Sequence, residues 1–142
     1  MQAHGQFTLW REQQVILAHI RGQCNEDMAI AFSEEFKQVA APLLDTPWAH
    51  IVYLDDWELA TPEVEGIIQN LVAWLIAHGL TRTAQVYSPN MLKRYQLDRM
   101  ITQKTDTFER QVFSDERAAF AWLSQEGFAV DTPSLQKTGS TS

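Results

Sequence analysis

The chain is poor in cysteine, in basic residues and in long apolar runs, and each shortage excludes a class of protein. Its single cysteine, Cys24, has no partner for an intrachain disulfide, so we expect a cytoplasmic protein. Lys and Arg number 11 against 18 Asp and Glu, a net charge of -7 that argues against nucleic acid as a partner. Apolar runs such as residues 51–54 are far shorter than the roughly 20 residues that span a bilayer, and no signal peptide is visible. We therefore expect no membrane span.

Residue patterns that mark metal or catalytic sites are missing as well. Cys24 lies near a predicted helix start, but Glu26 and Asp27 disfavour its thiolate. The four histidines have no metal-ligand spacing, and a glycine-rich phosphate loop is absent: His4, His19, His50 and His78. The sequence thus predicts no catalytic residue, no metal and no cofactor.

Alternating strand and helix signals run along the chain. Residues 7–11 and 15–21 predict an N-terminal hairpin, residues 51–54 a central strand, residues 83–87 another strand and residues 108–113 an edge strand. Four helices are predicted from their start signals: Asn25, Thr61 with Pro62, Ser88 with Pro89, and Ser114. In the third helix the apolar positions are Met91, Leu92, Tyr95 and Met100, and in the last helix Trp122 is expected to pack inward.

This order of elements indicates one α/β domain. With 45% hydrophobic residues in 142, the chain can fill one core. The alternation predicts about five mostly parallel strands with about four helices packed on the sheet. We place the domain at residues 1–128 and a disordered tail at residues 129–142, where the sequence becomes polar from Asp131 onward.

Three segments resemble the STAS and SpoIIAA-like family, which includes anti-sigma-factor antagonists and the cytoplasmic domains of sulfate transporters. They are residues 49–56 (AHIVYLDD), residues 83–88 (TAQVYS) and residues 109–123 (ERQVFSDERAAFAWL). The last resembles the closing strand and helix of the SpoIIAA-like branch. The resemblance implies a SpoIIAA-like fold and a regulatory or protein-interaction role, although a scaffold does not by itself fix a function.

In the antagonist branch, a serine in an Asp-Ser-Ser-Gly turn is phosphorylated by a partner kinase. The matching stretch here is residues 58–63 (ELATPE), where only Thr61 offers a hydroxyl and the aspartate and glycine are missing. We favour a helix-capping role for Thr61 over phosphorylation.

The candidate surface for a ligand or partner lies where two predicted parallel strands end, because open sheets bind ligands there. Its members follow residues 51–54 and residues 83–87: Asp55, Asp56, Trp57, Thr61, Ser88 and Asn90. We favour an aspartate that caps a turn over a cation site. The Trp57 ring falls in a predicted loop, where core or lid packing is favoured over contact with a partner.

The sequence favours a non-enzymatic regulatory or protein-interaction module with a protein partner or a homodimer. An alternative is a small carrier that holds an apolar ligand or lipid between sheet and helices, as the related lipid-transfer fold does. A third interpretation is an enzyme built on Asp55, Asp56 and Ser88, which would need a cleft joining Asp55 to Ser88.

Overall fold

Within residues 6–130, which the computed structural model describes, the chain forms one mixed sheet. Its strands are Gln6–Glu12 (β1), Val15–Cys24 (β2), Trp48–Tyr53 (β3), Trp57–Ala60 (β4), Leu80–Val86 (β5) and Glu109–Phe113 (β6). They lie in the order β1-β2-β3-β5-β6, and β4 pairs with β2. β1 and β2 are antiparallel and the other pairs are parallel, which confirms the predicted hairpin and sheet type.

Helices cover both faces of the sheet. They are Glu26–Ala40 (α1), Pro62–Ala77 (α2), Met91–Met100 (α3) and Glu116–Gln125 (α4), with a 3-10 turn at Ala41–Leu43. α4 packs over β5 and β6 on the face that carries Leu17, Ile51 and Ala84. α1, α2 and α3 cover the opposite face, so every residue of β3 is buried, as expected of a central strand.

The helices begin at side-chain caps that the sequence predicts only in part. Asn25 accepts a hydrogen bond from the Met28 amide at 3.0 Å, as predicted. The predicted caps Ser88 and Ser114 are wrong, because α3 is capped by Asn90 and α4 by Asp115. Asn and Asp side chains are at least as favourable as serine at this position, and here they lie directly before the first helical turn.

The strand β4 was not predicted, and it corrects the interpretation of residues 57–60 as loop. β2 is 10 residues long and pairs with β3 only as far as His19. Beyond that point, Gly22 and Cys24 pair with Trp57 and Ala60 of β4. Pairing between segments this distant in sequence leaves no periodic signal in a strand of four residues.

No helix within residues 6–130 is long and apolar enough to cross a bilayer. The expected domain boundary at residue 128 stays a prediction, because residues 131–142 of the expected tail lie outside the described residues. At the end of the described range, Val130 packs against the core cluster beneath α4.

Candidate functional site

Asp55 and Ser88 lie together at the carboxyl edge of the sheet. The Asp55 carboxylate accepts a hydrogen bond from the Ser88 backbone amide at 2.7 Å, which ties the loop after β3 to the loop after β5. Because the bond occupies the Ser88 amide, this amide is not free to bind a ligand. Asp55 therefore holds two loops together.

Asp56 points to a different partner. Its Oδ2 lies 2.8 Å from His19 Nε2 on β2, and the other ring nitrogen of His19 lies 3.0 Å from Arg21 Nη1. The two aspartates follow each other in a turn and bind different partners, the Ser88 amide and the His19 ring. Among the described residues, no group of three or more His, Cys, Asp and Glu is placed to hold a metal ion.

A hollow of about 240 Å³ lies beside these aspartates, and its wall is acidic. Tyr53 donates its hydroxyl to Glu116 in this wall. The enzyme interpretation requires a cleft that joins Asp55 to Ser88. Among the described residues, Ser88 does not line this hollow, so the hollow is not that cleft. The residues that line it are His19, Tyr53, Asp55, Asp56, Val86, Ser114, Asp115 and Glu116.

Thr61 occupies the cap position of α2, but its side chain does not cap the helix. The pKa of Glu63 lies below its usual value because its carboxylate accepts from its own backbone amide and from the Thr61 hydroxyl. The predicted helix start at Thr61 and Pro62 is correct, whereas the predicted side-chain cap is wrong. Thr61 engages an exposed carboxylate instead.

Trp57 points into the protein and not toward solvent. Its side chain is only 4% exposed and packs in the core with Val64 and Leu97. It stands in β4, so the predicted loop position is corrected, whereas the favoured packing of the ring in the core agrees with its burial. The ring is unavailable as a contact for a partner in this conformation.

Three apolar side chains, all among the apolar positions of the predicted third helix, form an exposed surface on α3. Met91 is 88% exposed, Leu92 67% and Tyr95 64%. We call these three residues, together with Arg94, the α3 surface. Two other side chains of the helix face inward, because Leu97 and Met100 are both buried. Of the four apolar positions named for the predicted third helix, Met100 alone is therefore buried.

Polar anchors hold α3 in this orientation. Lys93 Nζ donates to the carbonyl oxygens of Leu54 and Asp55, at 2.7 and 3.0 Å. The Gln96 side-chain amide bonds both the backbone N–H and the carbonyl of Ala60 in β4. These bonds place two polar residues on the inner side of the helix and leave the apolar residues of its first turn outside.

A groove of about 560 Å³ lies between the α3 surface and β6. Arg94 is the one charged side chain in its lining within the described residues. Asn90 also lines the groove, so one residue of the predicted site lies beside the α3 surface. The lining residues are Tyr87, Pro89, Asn90, Met91, Arg94, Tyr95, Val112, Phe113 and Ser114.

An internal cavity of about 110 Å³ lies between the sheet and helices α1, α2 and α3. Its wall is apolar apart from His50, Thr83 and Gln85, and it includes Cys24 and Trp57. Burial raises the pKa of the Cys24 thiol to about 11, so this side chain is a poor nucleophile at neutral pH. A cavity that holds benzene measures about 150 Å³, so this one is too small for a lipid acyl chain.

Comparison with solved structures identifies the architecture as the SpoIIAA-like fold. An uncharacterized protein of the DUF3478 family from Shewanella loihica PV-4, described as having that fold, superposes with a TM-score of 0.63 at 12% identity, over 84% of this chain and 94% of its own. The anti-sigma factor antagonist SpoIIAA in its unphosphorylated form gives a TM-score of 0.55 at 12% identity, over 86% of this chain and 99% of its own. No protein-family model and no curated protein matches the sequence. At this identity the likeness establishes the fold alone.

Proposed function

We propose that this chain is a non-enzymatic regulatory module that binds a partner protein through the α3 surface. The observation that carries the proposal is the exposure of Met91, Leu92 and Tyr95 on consecutive turns of one helix. Contiguous exposed apolar side chains mark interaction sites, because they cost free energy in water until a partner covers them. The fold of an anti-sigma factor antagonist supports a protein as the partner.

The charge of the α3 surface indicates the chemistry of that partner. Arg94 gives the α3 surface a positive charge, although the whole chain has a net charge of -7. Arg94 faces the groove, and its link to Asp98 is a loose ion pair of 3.7 Å between exposed side chains. A fitting partner therefore presents apolar side chains to Met91 and Tyr95 and a carboxylate to Arg94.

The test begins with a variant that carries a photoreactive amino acid in place of Tyr95 and is produced in the host cell. Irradiation then crosslinks this residue to a protein bound at the α3 surface. The crosslinked protein is identified, purified and titrated against wild type by calorimetry. Tyr95→Ser should weaken its binding about thirtyfold, since truncating a central aromatic anchor costs about 2 kcal/mol. Arg94→Glu should weaken it as well.

Ile30→Ser is the matched control, because Ile30 is an exposed apolar residue on α1. It should leave binding unchanged, and all variants should unfold at the wild-type denaturant midpoint because their side chains are exposed. Equal losses in Ile30→Ser and Tyr95→Ser would refute a site on α3. The crosslinked protein could prove to be a second copy of this chain, with a dimer in sedimentation that Tyr95→Ser abolishes. This result would refute the proposal that the partner is a different protein.

A further inference from the structure

The internal cavity has a polar patch on one wall that its apolar surroundings do not explain. His50 of β3 pairs in register with Thr83 of β5, and the next pair on the same face is Val52 with Gln85. His50, Thr83 and Gln85 therefore stand side by side on the face that α1, α2 and α3 cover. All three are buried and line the cavity.

Gln85 brings an unpartnered donor to this patch. Its side chain is fully buried, and its Oε1 accepts a hydrogen bond from Arg110 Nη1 at 2.9 Å. A guanidinium can only donate, so the amide oxygen must face Arg110 and the NH₂ group must face the other way. Gln85 Nε2 has no hydrogen-bond partner. Buried donors are almost always paired, so this one indicates a missing acceptor.

His50 supplies an acceptor to the same wall. Its Nδ1 lies 2.9 Å from the carbonyl oxygen of Ile16, which requires Nδ1 to carry the proton. Burial lowers the pKa of the His50 ring to about 4, so the ring is neutral at pH 7 and Nε2 has a free lone pair. The patch can thus both donate and accept.

We propose that the cavity binds a small phenol or alcohol, with an apolar body of about benzene's size and one hydroxyl. A hydroxyl oxygen can accept from Gln85 Nε2 while its proton is donated to an acceptor such as His50. The cavity of about 110 Å³ is somewhat smaller than the roughly 150 Å³ of one that holds benzene, so its wall must yield slightly to admit one ring. Met28 and Met100 in its wall are flexible side chains that can move to fit a ring. The site is independent of the α3 surface.

The experiment titrates the 142-residue chain with phenol and with toluene, a molecule of similar size without the hydroxyl, and follows both titrations by NMR. Phenol should bind saturably and shift the side-chain NH₂ resonances of Gln85. In Gln85→Leu, the affinity for phenol relative to toluene should fall about tenfold, as expected for the loss of one hydrogen bond to a buried donor.

Val72→Phe is the second variant, because Val72 lines the cavity from α2 and the larger ring would fill it while the polar patch stays intact. It should abolish the binding of both probes. The proposal is overturned if phenol binds without saturation or if Val72→Phe binds phenol as wild type does. It is also overturned if the affinity for phenol relative to toluene is the same in Gln85→Leu as in wild type. If neither variant folds, the Gln85 NH₂ resonances of the wild-type protein still test the proposal, because they should shift with phenol.

Discussion

Replacement of Arg110 by methionine tests how the buried polar groups contribute to stability. The Arg110 side chain is 1% exposed, although it is charged. It donates to Gln85 Oε1 at 2.9 Å, to Asp98 Oδ1 at 2.8 Å and to Gln103 Oε1 at 3.1 Å. The guanidinium thus joins β5, the end of α3 and the segment that follows it.

The expected magnitude follows from the different exposure of these partners. Asp98 is 47% exposed, so its ion pair with Arg110 is screened by water and contributes no more than about 1 kcal/mol. Gln85 is fully buried, so loss of its donor leaves the amide oxygen unpaired at about 1–3 kcal/mol. Methionine keeps most of the side-chain volume and relieves the desolvation of a buried charge. We therefore expect Arg110→Met to cost about 2–3 kcal/mol and Asp98→Asn less than about 1 kcal/mol.

Urea unfolding, followed by tryptophan fluorescence and circular dichroism, measures both variants against wild type. Coincident transitions would justify two-state free energies. An Asp98→Asn variant that loses as much stability as Arg110→Met would show that the ion pair dominates and refute the assignment to Gln85. A neutral Arg110→Met would show that the desolvation of the guanidinium cancels its hydrogen bonds.

Trp57→Ala should cost about 3–5 kcal/mol because the buried ring leaves a cavity, whereas Trp122→Ala should cost about 2 kcal/mol because that ring is only half-buried. Chemical denaturation of the two variants checks this, and equal costs would contradict the different burial. Stability should also fall as the pH drops from 6.5 toward 4, because the pKa of His50 is lowered from 6.5 to about 4 and the unfolded chain takes up the proton first. The slope contributed by His50 is at most about 1.4 kcal/mol per pH unit, and it should disappear in His50→Gln; a variant with the wild-type slope would show that other groups cause it.

The sequence predicts most of the fold because local signals and burial agree over most of the chain. Residues 51–54 are uninterruptedly apolar and lie at the end of the central β3 and just after it. Thr61 and Pro62 mark the true start of α2, and Gly79 follows its end with a φ of +112°, a conformation that favours glycine. These signals depend on neighbours in sequence, so no tertiary contact had to be known.

The α3 surface could not be predicted in the same way, because the helix has apolar residues on two sides. Met91, Leu92 and Tyr95 lie outside, and Leu97 and Met100 lie inside. The choice between the two sides is made by polar bonds such as the one from Lys93 Nζ to the Leu54 carbonyl, which spans 39 residues. The spacing of apolar residues does not reveal that a polar residue, Lys93, is needed on the inner side of the helix.

The polar patch of the cavity, in contrast, does leave a signal in the sequence, but that signal is easily taken for a solvent-exposed strand face. Along β5, the polar Thr83 and Gln85 alternate with Ala84 and Val86, a pattern that usually indicates one wetted face. β5 lies between β3 and β6 in the sheet, with helices on both faces, so residues 83–86 of this strand are buried on both sides. The polar Thr83 and Gln85 are therefore buried, and a buried polar side chain needs a hydrogen-bond partner. Gln85 meets that requirement on its oxygen alone, and its unpaired NH₂ group is the physical reason to search this cavity for a ligand.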